Sequence, residues 1–290
     1  MSSVFDIFLL EAVLNGVLLG GLLALLSLGL NLIFGVIDVV WICYAELVMV
    51  GMYAIYWLYS VQELPLPLAF VLGVLFVALL GALLHQFIIR PVLAAEPINQ
   101  LLVTGGVLFL LQALATVIFG VEFRNIGIRL PSVNIGELNF SMARIIAFVV
   151  AAAAIAVTYV FLQRSHVGIA IRAISQDRAI MPLMGVNPGR IYLLTSAMGG
   201  GMAGLASCLL VLQYDVHPAI GLSFGPITFL ICVLGGLGNL IGGFVAAFVF
   251  AQFISVGGFF FQLEWGYVLA FVFFIAVMFW KPEGLLARRR

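Results

Sequence analysis

The chain has 290 residues, of which 65% are hydrophobic and 8% charged, and its formal net charge is zero. Soluble globular chains are about 45–50% apolar and about 25% charged; a soluble fold could not hide this apolar surface, whereas a bilayer crossed by segments of about 20 residues can. Zero net charge suggests no nucleic-acid partner, and the one lysine, Lys281, precedes Pro282, which excludes a G-x-x-x-x-G-K-[ST] phosphate loop and ATP hydrolysis by that route.

In chain order, the first apolar span covers about residues 11–36; with Asp6 and Glu11 nearby and no basic n-region, it reads as a retained anchor. The second covers 39–59 and is closed by Pro65 and Pro67; the third runs 66–89 to Arg90-Pro91; the fourth covers 101–121. A polar connection from Glu122 to Ser141, rich in Asn and with Pro131, suits an exposed loop with short strands. The fifth span covers 142–162, the sixth 191–212, and the last 264–280, with a basic tail from Lys281. From 219 to 258 the chain is apolar but punctuated by glycine, at about 1 kcal/mol per glycine relative to alanine in a helix. Two helical segments broken near Gly235–Asn239 fit better than one, either as two crossings or as a re-entrant pair. The expected fold is an all-α polytopic membrane protein of about 8–9 transmembrane helices, built as one domain over residues 1–290. Cys43, Cys208 and Cys232 lie in apolar runs without metal-ligand spacing and read as buried hydrophobes.

Lys and Arg near span ends favour the cytoplasm. Arg90, the group Arg164, Arg172, Arg178 and Arg190, and the tail cations Lys281 and Arg288–Arg290 all fall inside if the glycine-broken region crosses twice. Arg124, Arg129 and Arg144 then fall outside, against the rule.

The polar stretch 163–190 is the most informative. Ser175 or Asp177 can cap a short helix that Gly185 ends, with Ile180, Leu183 and Met184 on one face. An apolar ridge there needs a protein partner or a membrane surface, and spacing does not choose between them. Gly16/Gly20, Gly200/Gly204 and Gly238/Gly242 have the spacing of close helix packing. Helix ends at membrane depth, of which Gly235, Gly236, Gly238 and Asn239 are the candidates, can line a path and face a zwitterion. Glu46 is the strongest intramembrane ionisable candidate; Asp38 reads as interfacial, and so does His85. Asn31 and Asn239 either bond across helices or line the path. Gly221-Leu-Ser223-Phe-Gly225 fits the G-x-S-x-G nucleophile pattern, but no histidine follows His217, so a flexible external turn is the plainer reading.

Gly168, Arg172-Ala173, Asp177, Ala179, Met184-Gly185-Val186-Asn187 and Arg190 form a pattern that resembles the coupling loop of the LivH-like permeases of branched-chain amino acid importers. The resemblance extends over nearly the whole chain, through Asn15–Gly35, Gly199–Leu210, the block Val233–Gly243 and Lys281-Pro-Glu-Gly-Leu-Leu286. It implies an inner-membrane permease of a bacterium, not an enzyme, that pairs with a second permease. Two ATPase subunits holding ATP and magnesium would grip the loop, and an extracytoplasmic binding protein would deliver the solute. No cofactor is expected on this chain. Two departures stand out: the family's Asn-Phe-Ala-His-Gly-Glu reads Trp41-Ile-Cys-Tyr-Ala-Glu46, keeping only Glu46, and Pro182 falls inside the expected coupling helix. A stand-alone secondary transporter or channel, or an intramembrane serine hydrolase using Ser223, are the alternatives.

Overall fold

The computed structural model describes residues 2–128, 131–135, 138–178, 180–282 and 284–286. Long helices dominate, as composition requires: in hydrocarbon every backbone N–H and C=O must be paired within its own segment. Helix α1 (Ser2–Ile37) is followed by a non-helical connection and then α2 (Tyr44–Tyr56), which continues as a π turn over Trp57–Val61. Helix α3 (Leu66–Leu84) passes through a second π turn at His85–Ile89 into the short α4 (Arg90–Val92), and α5 (Pro97–Phe119) follows. Strands β1 (Ser132–Ile135) and β2 (Leu138–Ser141) pair antiparallel in the long connection, with Val133 opposite Phe140. Helix α6 (Met142–Arg164) leads to α7 (His166–Gln176), a 3₁₀ turn at Met181–Met184, and α8 (Pro188–Leu210). The chain ends in α9 (Ile220–Gly235), α10 (Leu240–Phe260) and α11 (Leu263–Trp280).

Local chemistry sets the helix starts. Pro67, Pro97 and Pro188 occupy first-turn positions, where a missing N–H costs nothing. The side chains of Ser165, Asn187 and Asn239 accept from the N–H groups of Gly168, Arg190 and Gly242, capping α7, α8 and α10. Among the described residues, six helices are long and apolar enough to cross a membrane, and α9 and α11 are shorter apolar helices. At about 1.5 Å per residue, the 36 residues of α1 span about 54 Å, so its first turns stand beyond a hydrocarbon core of about 30 Å.

Helix α1 is the buried hub, packed by α10, α8, α6 and α9. Its Gly16 and Gly20 receive Gln252 and Phe248 of α10. Helices α3 and α8 run antiparallel in close contact, with Gly200 against Val77 and Gly81 and Gly204 against Val74. The outward faces of α3, α5, α6 and α11 carry Leu75, Phe109, Val157 and Phe279, the apolar surface that lipid covers.

Several sequence expectations change. The first span begins earlier, since nothing between Ser2 and Glu11 breaks a helix. The second begins at Tyr44, because Asp38 takes a left-handed backbone (φ 63°), residues 39–41 are not helical, and Ile42 and Cys43 form a turn. His85, read as interfacial, is buried within the protein: it is 1% exposed, in the π turn after α3, with its ring edge-on to Tyr192 of α8. Gly238 and Gly242 do not share a helix face, because Gly238 lies in the break between α9 and α10. The tail residues Arg288–Arg290 and the loop residues Arg129 and Glu137 lie outside the described residues.

Candidate functional site

Three polar regions interrupt the apolar bundle. The first is the segment between α6 and α8. The helix expected to start at Ser175 or Asp177 lies upstream instead, as α7, because Ser165 caps Gly168 N–H and Gly168, Ile171 and Ile174 bury one face. Ser175 and Asp177 stand at its end, and Asp177 Oδ1 accepts from Ile180 N–H at 3.1 Å to shape the next turn. Pro182 occupies the start of the 3₁₀ turn, where it breaks no α-helix. Gly185 ends that turn in the left-handed region (φ 79°), as expected. Ile180, Leu183 and Met184 form the anticipated ridge, with Leu183 85% and Met184 74% exposed. Arg172 donates to Gln163 O at 3.3 Å, which folds α7 back on the end of α6. Gly168 leaves no room for a side chain against Phe161 and Leu162. Ala173 O accepts from Asp177 N–H, Val186 N–H closes onto Met181 O, and Asn187 caps Arg190 N–H. Ala179 lies outside the described residues. Arg178 pairs with Asp38 at 3.6 Å, tying this segment to the connection between α1 and α2; both groups are well exposed, so the pair adds little stability.

The second region is the glycine break. Helix α9 stops at Gly235 and α10 begins at Leu240, close to the boundaries read from sequence. Gly236 and Gly238 adopt φ of 95° and 79°, which only glycine takes readily. Asn31 on α1 is fully buried, and its Oδ1 accepts from Gly238 N–H at 3.1 Å. Asn239 caps Gly242 and donates to Leu286 O at 2.6 Å, while Leu285 N–H bonds Leu234 O at 2.7 Å. Both asparagines thus bond across elements. The break, the tail, the end of α1 and the cation-rich segment gather at one end of the bundle; we term it the inner end.

The third region surrounds Glu46, which is 0% exposed in the first turn of α2. Gln112 of α5 donates to its Oε1 at 3.0 Å, and Oε2 has no partner. The carboxylate lies against Gly221 in the first turn of α9, whose backbone would collide with it if a side chain were added. The positive end of the α9 dipole favours an anion there. The residues that replace the family's motif pack inside: Trp41 is buried, and Tyr44 donates to Gly199 O at 3.3 Å. Gln112 was not singled out from sequence, although an amide in the middle of an apolar span is itself the signal.

Ser223 falls within α9, so its G-x-S-x-G motif forms neither a strand-to-helix elbow nor a flexible turn. The nearby His217 packs its ring on Phe123 at 4.7 Å. Burial lowers the His217 pKa from its ordinary value, and Asp215 beside it opposes that shift.

Membrane helices broken at depth around fixed polar groups, and a segment that presents an apolar ridge beyond them, define a membrane transport component. Residues 12–278 match the family described as "Branched-chain amino acid transport system / permease component", and the chain belongs to that family. It is the permease subunit of an ATP-driven importer, a multi-pass protein of the inner membrane. The high-affinity branched-chain amino acid transport system permease proteins LivH of Salmonella typhimurium and of Escherichia coli are each 27% identical to it over 308 residues, covering 99% of this chain and 98% of theirs. The corresponding protein BraD of Pseudomonas aeruginosa is 26% identical over 294 residues, 96% of each chain.

Proposed function

We propose that this permease carries branched-chain amino acids, or solutes of the same zwitterionic aliphatic class, and that the segment 168–190 couples it to separate ATPase subunits. The observation that carries the reading is the ridge of Ile180, Leu183 and Met184, held out from the bundle between α7 and α8. Apolar side chains so exposed at the inner end require a cover, and a groove on an ATPase subunit provides one.

In this reading a second permease, identical or related, completes the translocation path. Two ATPase subunits bind ATP and magnesium at the inner end, and an extracytoplasmic binding protein delivers solute to the opposite end. Closure of the ATPase pair pushes on Gly168, Arg172, Ala173, Asp177, Ala179 and the turn Met184–Arg190. Asn187 and Pro188 start α8 directly, so the push enters a helix that lies against both α3 and α1. The Arg178–Asp38 pair carries the same motion to the non-helical connection before α2. Glu46, Asn31 and the break at Gly235, Gly236, Gly238 and Asn239 are the groups that meet or shape the path.

The test is leucine uptake by proteoliposomes holding this chain, its partner permease, the ATPase subunits and the binding protein. Uptake should require ATP on the ATPase side and stop when Leu183 and Met184 are both replaced by Ser. Uptake that runs without ATP would support a stand-alone transporter instead.

A further inference from the structure

A line of unsatisfied polar groups runs along the seam between α2 and α5. The two helices lie side by side in matched register: Glu46 meets Gln112, and seven residues on in both helices Tyr53 stacks on Phe119 with ring centroids 4.4 Å apart. Glu46 Oε2 has no hydrogen-bond partner. Tyr53 is 1% exposed and its hydroxyl is also unpartnered. At the outer end Arg124 donates to Phe119 O at 2.6 Å and to Tyr56 Oη at 3.5 Å, and its guanidinium lies 5.6 Å from the centre of the Tyr56 ring. Its Nε is buried and unpartnered, and no carboxylate among the described residues forms an ion pair with it. A buried carboxylate and a half-buried guanidinium without counter-ions are costly in an apolar setting, and such groups mark sites where a ligand supplies the missing charge.

The backbone fixes Arg124 where it stands. Its N–H and C=O pair with Val216 in a two-residue bridge at 2.9 and 2.7 Å, which joins the end of α5 to the turn before α9. Helix α9 then begins against Glu46. One outer collar therefore holds both ends of the seam.

We propose that the α2–α5 seam is the outer half of the solute's path, with Arg124 taking the carboxylate of an α-amino acid at the mouth and Glu46 taking its ammonium deeper in. The proposal rests on the transport reading and deepens it: the polar ends of the solute, not its side chain, are recognised here. Ten residues of helix separate Glu46 from Tyr56, which Arg124 contacts, about 15 Å at 1.5 Å per residue, so one small zwitterion meets the two charges in succession. Tyr53, between them, offers the free hydroxyl along the way. The seam is closed in this conformation, and it opens as α5, which packs on its neighbours along the single stripe of Thr104, Leu108, Leu111 and Ala115, moves off α2.

The test is saturation-transfer NMR on the whole importer in nanodiscs, without ATP, using three probes: leucine, leucinamide, which lacks the carboxylate, and 4-methylpentanoate, which lacks the ammonium. Arg124→Gln should reduce the signals of leucine and 4-methylpentanoate at least threefold and spare leucinamide. Glu46→Gln, which preserves shape and can keep the contact with Gln112, should reduce those of leucine and leucinamide and spare 4-methylpentanoate. Arg124→Lys and Glu46→Asp should recover at least half of each loss. If both glutamine variants bind all three probes like the wild type, or lose all three alike, the proposal is overturned. Crossed losses without ATP-dependent uptake would sink the coupling reading and leave this one standing.

Discussion

At the scale of single residues, the bundle spends its buried polar groups in two ways. Asn31 is a structural example: its Oδ1 satisfies Gly238 N–H at the break, a donor that no helix can pair. Asn31→Leu should therefore lower stability by about 1–3 kcal/mol, the cost of an orphaned buried N–H, read as a drop in the unfolding midpoint of the detergent-purified complex; an unchanged midpoint would mean the break holds without it. Glu46 differs in charge: Gln112 donates to one carboxylate oxygen and the other is open, whereas the group that Asn31 leaves open is its amide Nδ2. In the outer collar, burial lowers the His217 pKa while Asp215 pulls the other way. Its titration, followed by NMR of the ring protons, should fall below the usual histidine range, and Asp215→Asn should move it lower still. The sign for stability follows: the neutral ring is the one the fold accommodates, so its contribution is present at neutral pH and is lost as pH falls below that range. A midpoint that rises in the Asp215 variant would contradict the assignment.

At the scale of elements, the glycine break and the segment between α6 and α8 were legible to different degrees, for physical reasons. The break announces itself because glycines accumulate where the backbone must leave the helix, and the observed ends at Gly235 and Leu240 follow that cluster. A Cβ on Gly238 would meet Gly35 Cα at 2.9 Å on a backbone with φ 79°. Gly238→Ala should therefore destabilise clearly, by more than the ~1–2 kcal/mol of the left-handed conformation alone. Gly106→Ala, on α5 with open space around it, should be neutral or mildly stabilising by helix propensity; thermal unfolding of the two variants side by side checks the contrast. The segment between α6 and α8 was harder to place. Its exposed ridge and the stop at Gly185 follow from residue types, but that Ser165 caps the helix, and not Ser175 or Asp177, depends on which apolar face finds a neighbour, and Ile171 and Ile174 find one in the bundle. The non-helical stretch 38–43 was illegible for a related reason: Val39, Val40 and Trp41 are apolar enough for a span, and only tertiary contacts, including Thr104 donating to Val40 O at 3.0 Å, reveal that they are not helical. The α2–α5 seam, finally, pairs residues more than sixty positions apart, which no local pattern reports.

At the scale of the molecule, the two ends of the bundle are built differently. The outer collar joins Arg124, Val216 and the start of α9 around unsatisfied polar groups. The inner end gathers the glycine break, the Arg178–Asp38 pair and the ridge. Helix α8 connects these ends: it starts at Pro188 beside the ridge, touches α1 and α3 along its small-residue faces, and reaches Val48 of α2 through Ser207 at 2.9 Å. A displacement applied at Met184–Arg190 thus has a continuous packed route to the helix that carries Glu46.

The central claim is that the ridge between α7 and α8 faces the cytoplasm and is gripped there by the ATPase. The three native cysteines are free and buried, so a single Leu183→Cys substitution gives a clean probe at an exposed site. A membrane-impermeant maleimide should label it in inside-out vesicles, fail to label it in right-side-out ones, and lose most of its access when the ATPase subunits are bound. Labelling from the outer side, or labelling that the bound ATPase leaves unchanged, would contradict the account.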